Sequence, residues 1–212
     1  MPGLDIVTFC DYGFGSNTYL VVNEERREAV LVDAGVAASQ VLDHLEKEGL
    51  ELKAILLTHG HPDHLLSLKE IADATEAPCY MHQEDARLLA HIPPMLLRML
   101  GLEKLELPEE FLPLEDGQEL DLAGMRFKVL LTPGHSGGSV CFLTDGVLFA
   151  GDLIFRGSIG RTDFPGGSMQ TLLRSVKEKV FTLPSDTRIL PGHMDATVVG
   201  WEKRTNPFLM GI

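Results

Sequence analysis

Short apolar runs alternate with amphipathic segments along the whole chain. Apolar runs rich in β-branched and aromatic residues and bounded by turn residues predict strands. Apolar positions at helical spacing predict helices. Strands are predicted over residues 17–22, 28–33, 52–59, 125–132, 139–144, 146–151 and 187–192. Helices are predicted over about 38–48, 63–75, 84–91, 95–101 and 169–181.

The order of these elements predicts an α/β (α+β) fold. Helices interleaved with mostly antiparallel strands favour a layered sandwich. The 212 residues suit one domain over 1–212. Residues 76–124 are proline-rich and weakly periodic, and we interpret them as an excursion that shapes a pocket wall. "AVLVDAG" and "VLFAGDL" each lead an apolar strand into an Asp beside a Gly, which hints at a duplicated unit.

Charge and composition narrow the function classes. The formal net charge is −13, which disfavours a nucleic-acid partner because phosphate binding needs clustered Lys and Arg. No apolar run approaches the ~20 residues of a membrane span, and the N-terminus does not resemble a signal peptide. The three cysteines, Cys10, Cys79 and Cys141, are far apart and predict buried, reduced thiols in a cytoplasmic protein.

The string "LLTHGHPDH" at 56–64 concentrates candidate metal ligands. His59 and His61 are two apart on an extended loop, so both rings can point to the same side. Pro62 suits a first helical turn, so Asp63 and His64 should begin the next helix and face a second position. One ion cannot easily take all four side chains of so tight a segment, whereas two ions about 3.5–4 Å apart can.

Three later positions can complete such a site. His135 in "TPGHSGG", Asp152 in "FAGDL" and His193 in "LPGHMDA" each follow an apolar strand. Functional residues concentrate on loops at strand ends. The remaining histidines, His44, His82 and His91, need no function. The predicted ligands are His59, His61 and His135 for one ion, Asp63, His64 and His193 for the other, and Asp152 as a bridge.

These motifs resemble the HxHxDH signature and the ordered later ligands of the metallo-β-lactamase superfamily. The resemblance covers nearly the whole chain and implies an αββα sandwich with the metals at one edge. Within the superfamily, "GRTDFPGG" (160–167) and "NPFL" (206–209) resemble a short bacterial subgroup of glyoxalase II-like (hydroxyacylglutathione hydrolase-like) proteins. "GRTDF" is also similar to persulfide dioxygenases.

The chain departs from glyoxalase II at three points that concern glutathione. Only residues 194–212 follow His193, so the helical domain that helps glyoxalase II hold glutathione is not expected. Arg161 and Asp163 stand where those enzymes usually have Lys and Tyr. "MD" follows the last histidine where Gly-Pro is usual. The metal chemistry survives these differences, whereas glutathione recognition does not follow from the sequence.

The leading hypothesis is thioester hydrolysis by a metal-bound hydroxide on two divalent ions. Zinc is favoured, with iron and manganese as alternatives because the same ligands serve all three. Asp63 and Asp152 would hold the hydroxide as well as ligate. A thiol of pKa about 8.5 can leave without a strong general acid, and none is evident near the motifs. The expected partner is a small acylthiol, with a glutathione derivative among the candidates and a homodimer left open.

The same residues are compatible with two further hypotheses. A mononuclear non-haem iron persulfide dioxygenase would need two histidines and a carboxylate, drawn from His59 or His61, His135 and Asp152. Lactone or β-lactam hydrolysis is a third hypothesis. Arg161 is the candidate for binding a substrate anion, with Arg156 second, because a guanidinium binds a carboxylate through two hydrogen bonds. Asp163 would orient Arg161, and Asp33 in "VDAG" would hold a nearby loop or ligand.

Overall fold

Two mixed β-sheets packed face to face form the centre of the computed structural model. It describes residues 4–11, 13–89, 92, 94–99 and 101–212. The first sheet has the order β1-β2-β3-β4-β5-β6, antiparallel up to β3 and parallel from β3 onward. Its strands are β1 (Asp5–Cys10), β2 (Asn17–Asn23), β3 (Glu28–Val32), β4 (Glu51–Leu56), β5 (Cys79–His82) and β6 (Leu112–Leu114).

The second sheet comes from the later part of the chain and has the order β14-β13-β10-β9-β8-β7. Its one parallel pair among the described strands is β10 with β13. The strands are β7 (Glu119–Leu122), β8 (Met125–Leu131), β9 (Val140–Thr144), β10 (Val147–Gly151), β13 (Arg188–Pro191) and β14 (Thr197–Val198). A small ribbon of β11 (Ile154–Phe155) and β12 (Ser158–Ile159) follows β10.

Helices cover the outer faces of both sheets. They are α1 (Ala38–Glu48), α2 (Leu68–Thr75), α3 (Gln83–Leu89), α4 (Pro94–Met99), α5 (Met169–Ser175) and α6 (Val199–Thr205). A π-helical segment, Val176–Val180, continues α5. In the described part of the chain, no helix has the length and apolar character that crossing a bilayer requires.

Strands buried on both faces create three apolar layers. In β2, Tyr19 and Val21 point between the sheets, whereas Leu20 and Val22 point toward the first group of helices. This follows from the two-residue period of a strand. Phe127, Phe142 and Phe149 of the second sheet fill the central layer. A third layer lies between the second sheet and α5 with α6. The predicted αββα sandwich is confirmed.

Some predicted elements were wrong or incomplete. The segment 76–124 is more than an excursion, because it contains β5, β6 and β7 in addition to α3 and α4, which match the helices predicted near 84–91 and 95–101. Strand β1, the short β14 and helix α6 were also not predicted. The predicted ends of α3 at His91 and of α4 beyond Met99 fall partly outside the described residues. Cys79 and Cys141 are buried free thiols as predicted, but Cys10 is exposed on an edge strand.

The two sheets are joined by hydrogen bonds at one end of the sandwich. The Val140 backbone N–H donates to the Thr58 carbonyl at 2.8 Å, and Asn17 N–H donates to the Gly192 carbonyl at 2.7 Å. The buried Tyr19 hydroxyl donates to the Pro191 carbonyl at 2.7 Å. Side chains that follow the strands at this end are therefore held at fixed separations across the two sheets.

Truncating the central layer tests this packing. Phe142 is fully buried between the sheets, so Phe142→Ala should lower the free energy of unfolding by about 3–5 kcal/mol. The matched control is Leu88→Ala, whose side chain is 43% exposed and should cost less than about 1 kcal/mol. Chemical denaturation followed by circular dichroism measures both, and equal losses in the two variants would contradict the assigned core.

Candidate metal centre

The "HGHPDH" string forms a loop and a short turn just after β4. The strand ends at Leu56, and His59 and His61 lie in the loop that follows. Pro62–His64 form one 3₁₀ turn with the proline in its first turn, as predicted. Within this short stretch the His64 ring lies 4.3 Å from the His59 ring, and the ligand atoms of Asp63 and His64 lie close together.

The predicted continuous helix over 63–75 is wrong. The Ala34 backbone N–H donates to the His64 carbonyl at 2.8 Å, and Ser67 N–H donates to the Ala34 carbonyl at 3.0 Å. An α-helix would need the His64 carbonyl to accept from four residues further along the chain. The helix therefore begins only at Leu68, and the interruption ties the ligand turn to the loop after β3.

The other three predicted ligands follow strands of the second sheet. His135 lies after β8, Asp152 directly after β10, and His193 after β13. Gly192 makes their close approach feasible. A Cβ at that position would lie 2.8 Å from His64 Cε1 and closer still to the Asp152 carboxylate. All seven predicted ligands thus meet at the edge where the sheets are joined.

The seven side chains fall into overlapping groups whose candidate ligand atoms lie within 4.8 Å of one another. Across one group, His61 Nδ1 and His135 Nε2 are 2.7 Å apart. Across another, His193 Nε2 lies 3.2 Å from Asp63 Oδ2 and 3.3 Å from His64 Nε2. The groups are His59, His61 and His135; Asp63, His64 and His193; and His59, His64 and Asp152.

Asp152 lies between the first two groups. Its Oδ1 is 3.5 Å from His64 Nε2, while its Oδ2 is 3.5 Å from both His135 Nε2 and His193 Nε2. One carboxylate therefore faces both halves of the cluster. This is the arrangement expected of a residue that bridges two ions.

Buried atoms without partners show that the cluster fits a cation. His59 Nε2 and Asp152 Oδ1 are buried and have no hydrogen-bond partner among the described residues. An unsatisfied buried polar atom costs about 1–3 kcal/mol. Imidazole nitrogens and carboxylate oxygens are the donors that zinc, iron and manganese accept. The residues present therefore fit divalent metal ions in both halves of the cluster.

The three-histidine group is held in its neutral form. Burial, reinforced by the other histidines, keeps the pKa of His59 well below its ordinary value. Burial and the neighbouring His135 lower the pKa of His61 to about 4. Burial also lowers the pKa of His135 to about 4, although its bond to a backbone carbonyl opposes this. Each ring therefore keeps a free lone pair at neutral pH, which a metal ligand requires.

The second group, which consists of Asp63, His64 and His193, is more strongly charged. Burial lowers the pKa of His64, but Asp63, Asp152 and Asp33 outweigh it and raise the pKa to about 10. Burial raises the pKa of Asp63, but His64 and His193 outweigh it and depress the pKa strongly. The pKa of Asp152 is raised by burial. A cation bound here takes the place of protons on these histidines, so binding releases protons.

Asp33 supports the second group from behind. Its buried carboxylate accepts hydrogen bonds from His64 Nδ1 at 3.0 Å and from the Thr58 backbone N–H at 2.8 Å. The Thr58 hydroxyl, 2.8 Å from Asp33 Oδ2, also lies 3.0 Å from His59 Nδ1. These contacts agree with the predicted supporting role of Asp33 and turn the opposite nitrogen of each ring toward the cluster.

The "GRTDF" loop contacts the three-histidine group. The Arg161 carbonyl accepts a hydrogen bond from His135 Nδ1 at 2.8 Å. Its guanidinium donates two hydrogen bonds to Asp163, at 2.7 and 2.6 Å, and lies 4.0 Å from the centre of the Phe164 ring. Phe164 in turn packs edge-on against His61 at 5.3 Å. The side chain of Arg161 is 57% exposed, so it remains accessible beside the cluster.

The other candidates lie away from the cluster's inner face. Arg156 makes a 3.8 Å ion pair with Asp195. His44 packs edge-on against Phe9, and His82 Nδ1 accepts from the backbone of the following helix. His91 lies outside the described residues. Thr58 and Phe164 were not predicted as parts of the site. The sequence signal for Thr58 was its position, because it is a polar residue at the end of a predicted strand and directly before His59.

Comparisons with known proteins place this cluster in context. A family model described as the metallo-beta-lactamase superfamily matches residues 11–193. The probable metallo-hydrolase YqgX of Bacillus subtilis is 37% identical over 199 residues, with 92% of this chain and 93% of that protein covered. The hydroxyacylglutathione hydrolase GloC of Haemophilus influenzae is 35% identical over 200 residues, with the same coverage.

Three solved structures are also similar to this chain over nearly its whole length. The BLEG-1 B3 metallo-beta-lactamase has a TM-score of 0.88 and 34% identity, covering 98% of this chain and 100% of its own. TTHA1623, solved in a di-iron-bound form, has a TM-score of 0.86 and 38% identity, covering 96% and 100%. ETHE1 from Myxococcus xanthus has a TM-score of 0.78 and 28% identity, covering 96% and 83%.

Metal content tests the cluster directly. The protein loaded with zinc and freed of excess metal should hold two ions per chain by elemental analysis. Because Asp152 faces both halves of the cluster, Asp152→Ala should retain one ion or fewer. Asp195→Ala is the matched control, since Asp195 is 86% exposed and lies outside the three ligand groups. Two retained ions in Asp152→Ala would contradict the bridging assignment.

Proposed function

Because the chain belongs to the metallo-β-lactamase superfamily, we propose that it is a metal-dependent hydrolase that cleaves the thioester of a small acylthiol. The observation that carries this proposal is the full donor set around Asp152. Three neutral histidines lie on one side, and an aspartate with two histidines lies on the other. A donor set divided in this way suits two ions, and paired ions are typical of hydrolytic sites.

The residues around the cluster have definable roles in such a reaction. These residues would hold divalent ions, which would lower the pKa of a water to about 7 and polarise a substrate carbonyl. Asp63 stays ionised at neutral pH because His64 and His193 depress its pKa, although burial opposes them. Its carboxylate can therefore accept a hydrogen bond from the attacking water and orient it. Asp152 faces both halves, so its carboxylate would help to hold an ion in each of them.

The protonation demands of the leaving group favour a thioester. An amine must be protonated as it leaves, whereas a thiol of pKa about 8.5 can leave as the thiolate. A general acid for an amine leaving group would have to lie beside the cluster. Beyond the seven ligands, Asp33 is the carboxylic acid in the described part of the chain that hydrogen-bonds to a ligand side chain. Its buried carboxylate already accepts from Thr58 and His64. The similarity to GloC, a hydroxyacylglutathione hydrolase by name, supports the same substrate class.

Arg161 is proposed to bind an anionic part of the substrate. Its guanidinium is exposed, and its main chain contacts His135, so it lies at the border of the three-histidine group. The two hydrogen bonds to Asp163 and the contact with the Phe164 ring hold the guanidinium in one orientation. A pre-oriented guanidinium loses little entropy on binding a carboxylate through its remaining donors.

The alternative is a persulfide dioxygenase with a single iron. The similarity to ETHE1 supports this alternative, and it covers 96% of this chain at 28% identity. His135, Asp152 and either His59 or His61 would supply the two histidines and one carboxylate that such an iron needs. The hydrolase is preferred because Asp63, His64 and His193 form a further complete donor group.

One set of assays separates the two reactions. We expect two metal ions per chain and turnover of S-lactoylglutathione, with no oxygen uptake in the presence of glutathione persulfide. One iron per chain, persulfide-dependent oxygen uptake and no thioester cleavage would instead establish the dioxygenase. Metal content, thiol release and an oxygen electrode provide the three measurements.

The ligand assignment makes a second prediction about turnover. His59 is buried with an unpaired Nε2 facing the cluster, so His59→Ala should reduce kcat by at least about a hundredfold while the circular dichroism spectrum is retained. His44→Ala is the control, because His44 contacts Phe9 on the outer face and should leave kcat unchanged. Wild-type kcat in His59→Ala would refute the proposed site.

The role of Arg161 predicts a change in substrate binding. With an anionic acylthiol, Arg161→Ala should raise KM about tenfold and leave kcat within about twofold, because a charged hydrogen bond contributes about 1.5–3 kcal/mol. Arg126→Ala is a matched control, since Arg126 is also exposed and paired with an aspartate but lies on β8. An unchanged KM in Arg161→Ala would show that the Arg161 side chain does not bind the substrate.

A further inference from the structure

A second buried carboxylate lies behind the three-histidine group. Asp85, in the first turn of α3, has no exposed surface. In the described part of the chain it forms no salt bridge with a lysine or arginine. A buried charge is costly unless hydrogen bonds satisfy it. The contacts that satisfy Asp85 therefore indicate why a carboxylate is kept at this position.

The hydrogen bonds of Asp85 join two ligand loops. Its Oδ2 accepts from the Gly60 backbone N–H at 2.8 Å and from the Ser136 hydroxyl at 2.7 Å. Its Oδ1 accepts from the Gly138 backbone N–H at 2.7 Å. Gly60 lies between His59 and His61, and Ser136 directly follows the third histidine of the group. One side chain thus fixes the loop of the first sheet relative to the loop of the second.

Glycines let both loops approach Asp85 closely. A Cβ at Gly138 would lie 2.6 Å from Asp85 Oδ1 and 2.8 Å from its backbone nitrogen. A Cβ at Gly60 would lie 3.2 Å from the Asp85 carbonyl oxygen. Real Cβ atoms do not approach heavy atoms as closely as 2.6 Å. The close approach to Asp85 therefore requires glycine at Gly138, whereas a Cβ at Gly60 would be in tighter than usual contact with the backbone and Cβ of Asp85.

Asp33 does not provide this support for His61 and His135. Asp33 contacts His64 directly and His59 through Thr58. The positions of His61 and His135 depend instead on the two loops that Asp85 joins. The three histidines are neutral ligands and share the carboxylate of Asp152 with the other half of the cluster, so a further buried carboxylate nearby favours a cation there.

We propose that Asp85 is a positioning residue for the three-histidine group: it sets the spacing of His61 and His135 and strengthens cation binding in that half of the cluster. The inference rests on the proposed metal centre but not on the identity of the substrate. It assigns Asp85 to the loops that carry His61 and His135, whereas Asp33 supports His64 directly and His59 through Thr58.

Asp85→Asn tests the proposal with little change in size. An amide nitrogen cannot accept, so whichever way the amide is turned, one or two of the donors from Gly60, Ser136 and Gly138 lose their acceptor. In zinc titrations of the metal-free protein against a chelator, one of the two ions should bind about 10–100-fold more weakly, as is typical when a residue supporting a ligand is lost. The other ion should change by less than about threefold.

Glu202→Gln is the matched control. Glu202 is also fully buried, and it accepts from the Gly157 backbone N–H, the Thr197 hydroxyl and the Asn206 amide, at 2.9, 2.5 and 2.9 Å. None of these donors belongs to a ligand loop. This substitution should destabilise the fold to a similar degree without weakening either ion selectively. If Asp85→Asn and Glu202→Gln both lose one ion, the loss is a result of general destabilisation, and the proposal is overturned.

Ring N–H signals identify which half is affected. His135 Nδ1 donates to the Arg161 carbonyl, and His64 Nδ1 donates to Asp33, so each ring reports on one half of the cluster. In nitrogen-15 spectra of the zinc-loaded protein, Asp85→Asn should shift or broaden the His135 signal and leave the His64 signal in place. Equal changes in both signals, or none, would overturn the proposal.

A smaller substitution covers the case in which Asp85→Asn fails to fold. Ser136→Ala removes one of the three hydrogen bonds to Asp85 and should weaken the same ion by a few-fold. Unchanged zinc affinity in Ser136→Ala would then overturn the proposal. All these measurements use zinc and no substrate. A failure of the thioesterase assay therefore stays separate from a failure of this inference.

Discussion

Seven buried or half-buried donor side chains face one another across a few ångströms, and this convergence constrains the rest of the molecule. His61 Nδ1 and His135 Nε2 are 2.7 Å apart, and two donor atoms of the cluster have no hydrogen-bond partner among the described residues. Without a cation such an arrangement is unfavourable, because buried lone pairs are left unsatisfied. The surrounding structure must therefore hold the donors in place before an ion stabilises them.

Two kinds of support hold the donors. The strands provide the first, because β4, β8, β10 and β13 all end at the edge where hydrogen bonds join the sheets. Buried carboxylates provide the second. Asp33 accepts from His64 and contacts Thr58, and Asp85 joins the loops that carry His61 and His135. Both aspartates accept mainly from backbone N–H and hydroxyl groups, so their charge is stabilised without a neighbouring lysine or arginine in the described residues.

The sequence was sufficient for the features that depend on local spacing. The HxHxDH string and the later motifs resemble those of the metallo-β-lactamase superfamily, and both the family and the αββα fold that this resemblance implies are confirmed. The prediction of a continuous helix after Asp63 was wrong, because the backbone N–H of Ala34, which is distant in sequence, donates a hydrogen bond to the His64 carbonyl. Asp85 could not have been found, since "HQED" resembles an ordinary acidic helix start. Its partners are 25, 51 and 53 residues away along the chain.

The ligands are divided between the sheets, and this has a consequence for how the protein assembles. His59 and His61 follow a strand of the first sheet, whereas His135 follows a strand of the second. Neither half of the chain can complete the three-histidine group alone. An ion bound there is also a cross-link between the halves, so the complete three-histidine site exists only when the two sheets are docked. Retention of that ion is then a measure of whether the two sheets have docked in the correct register.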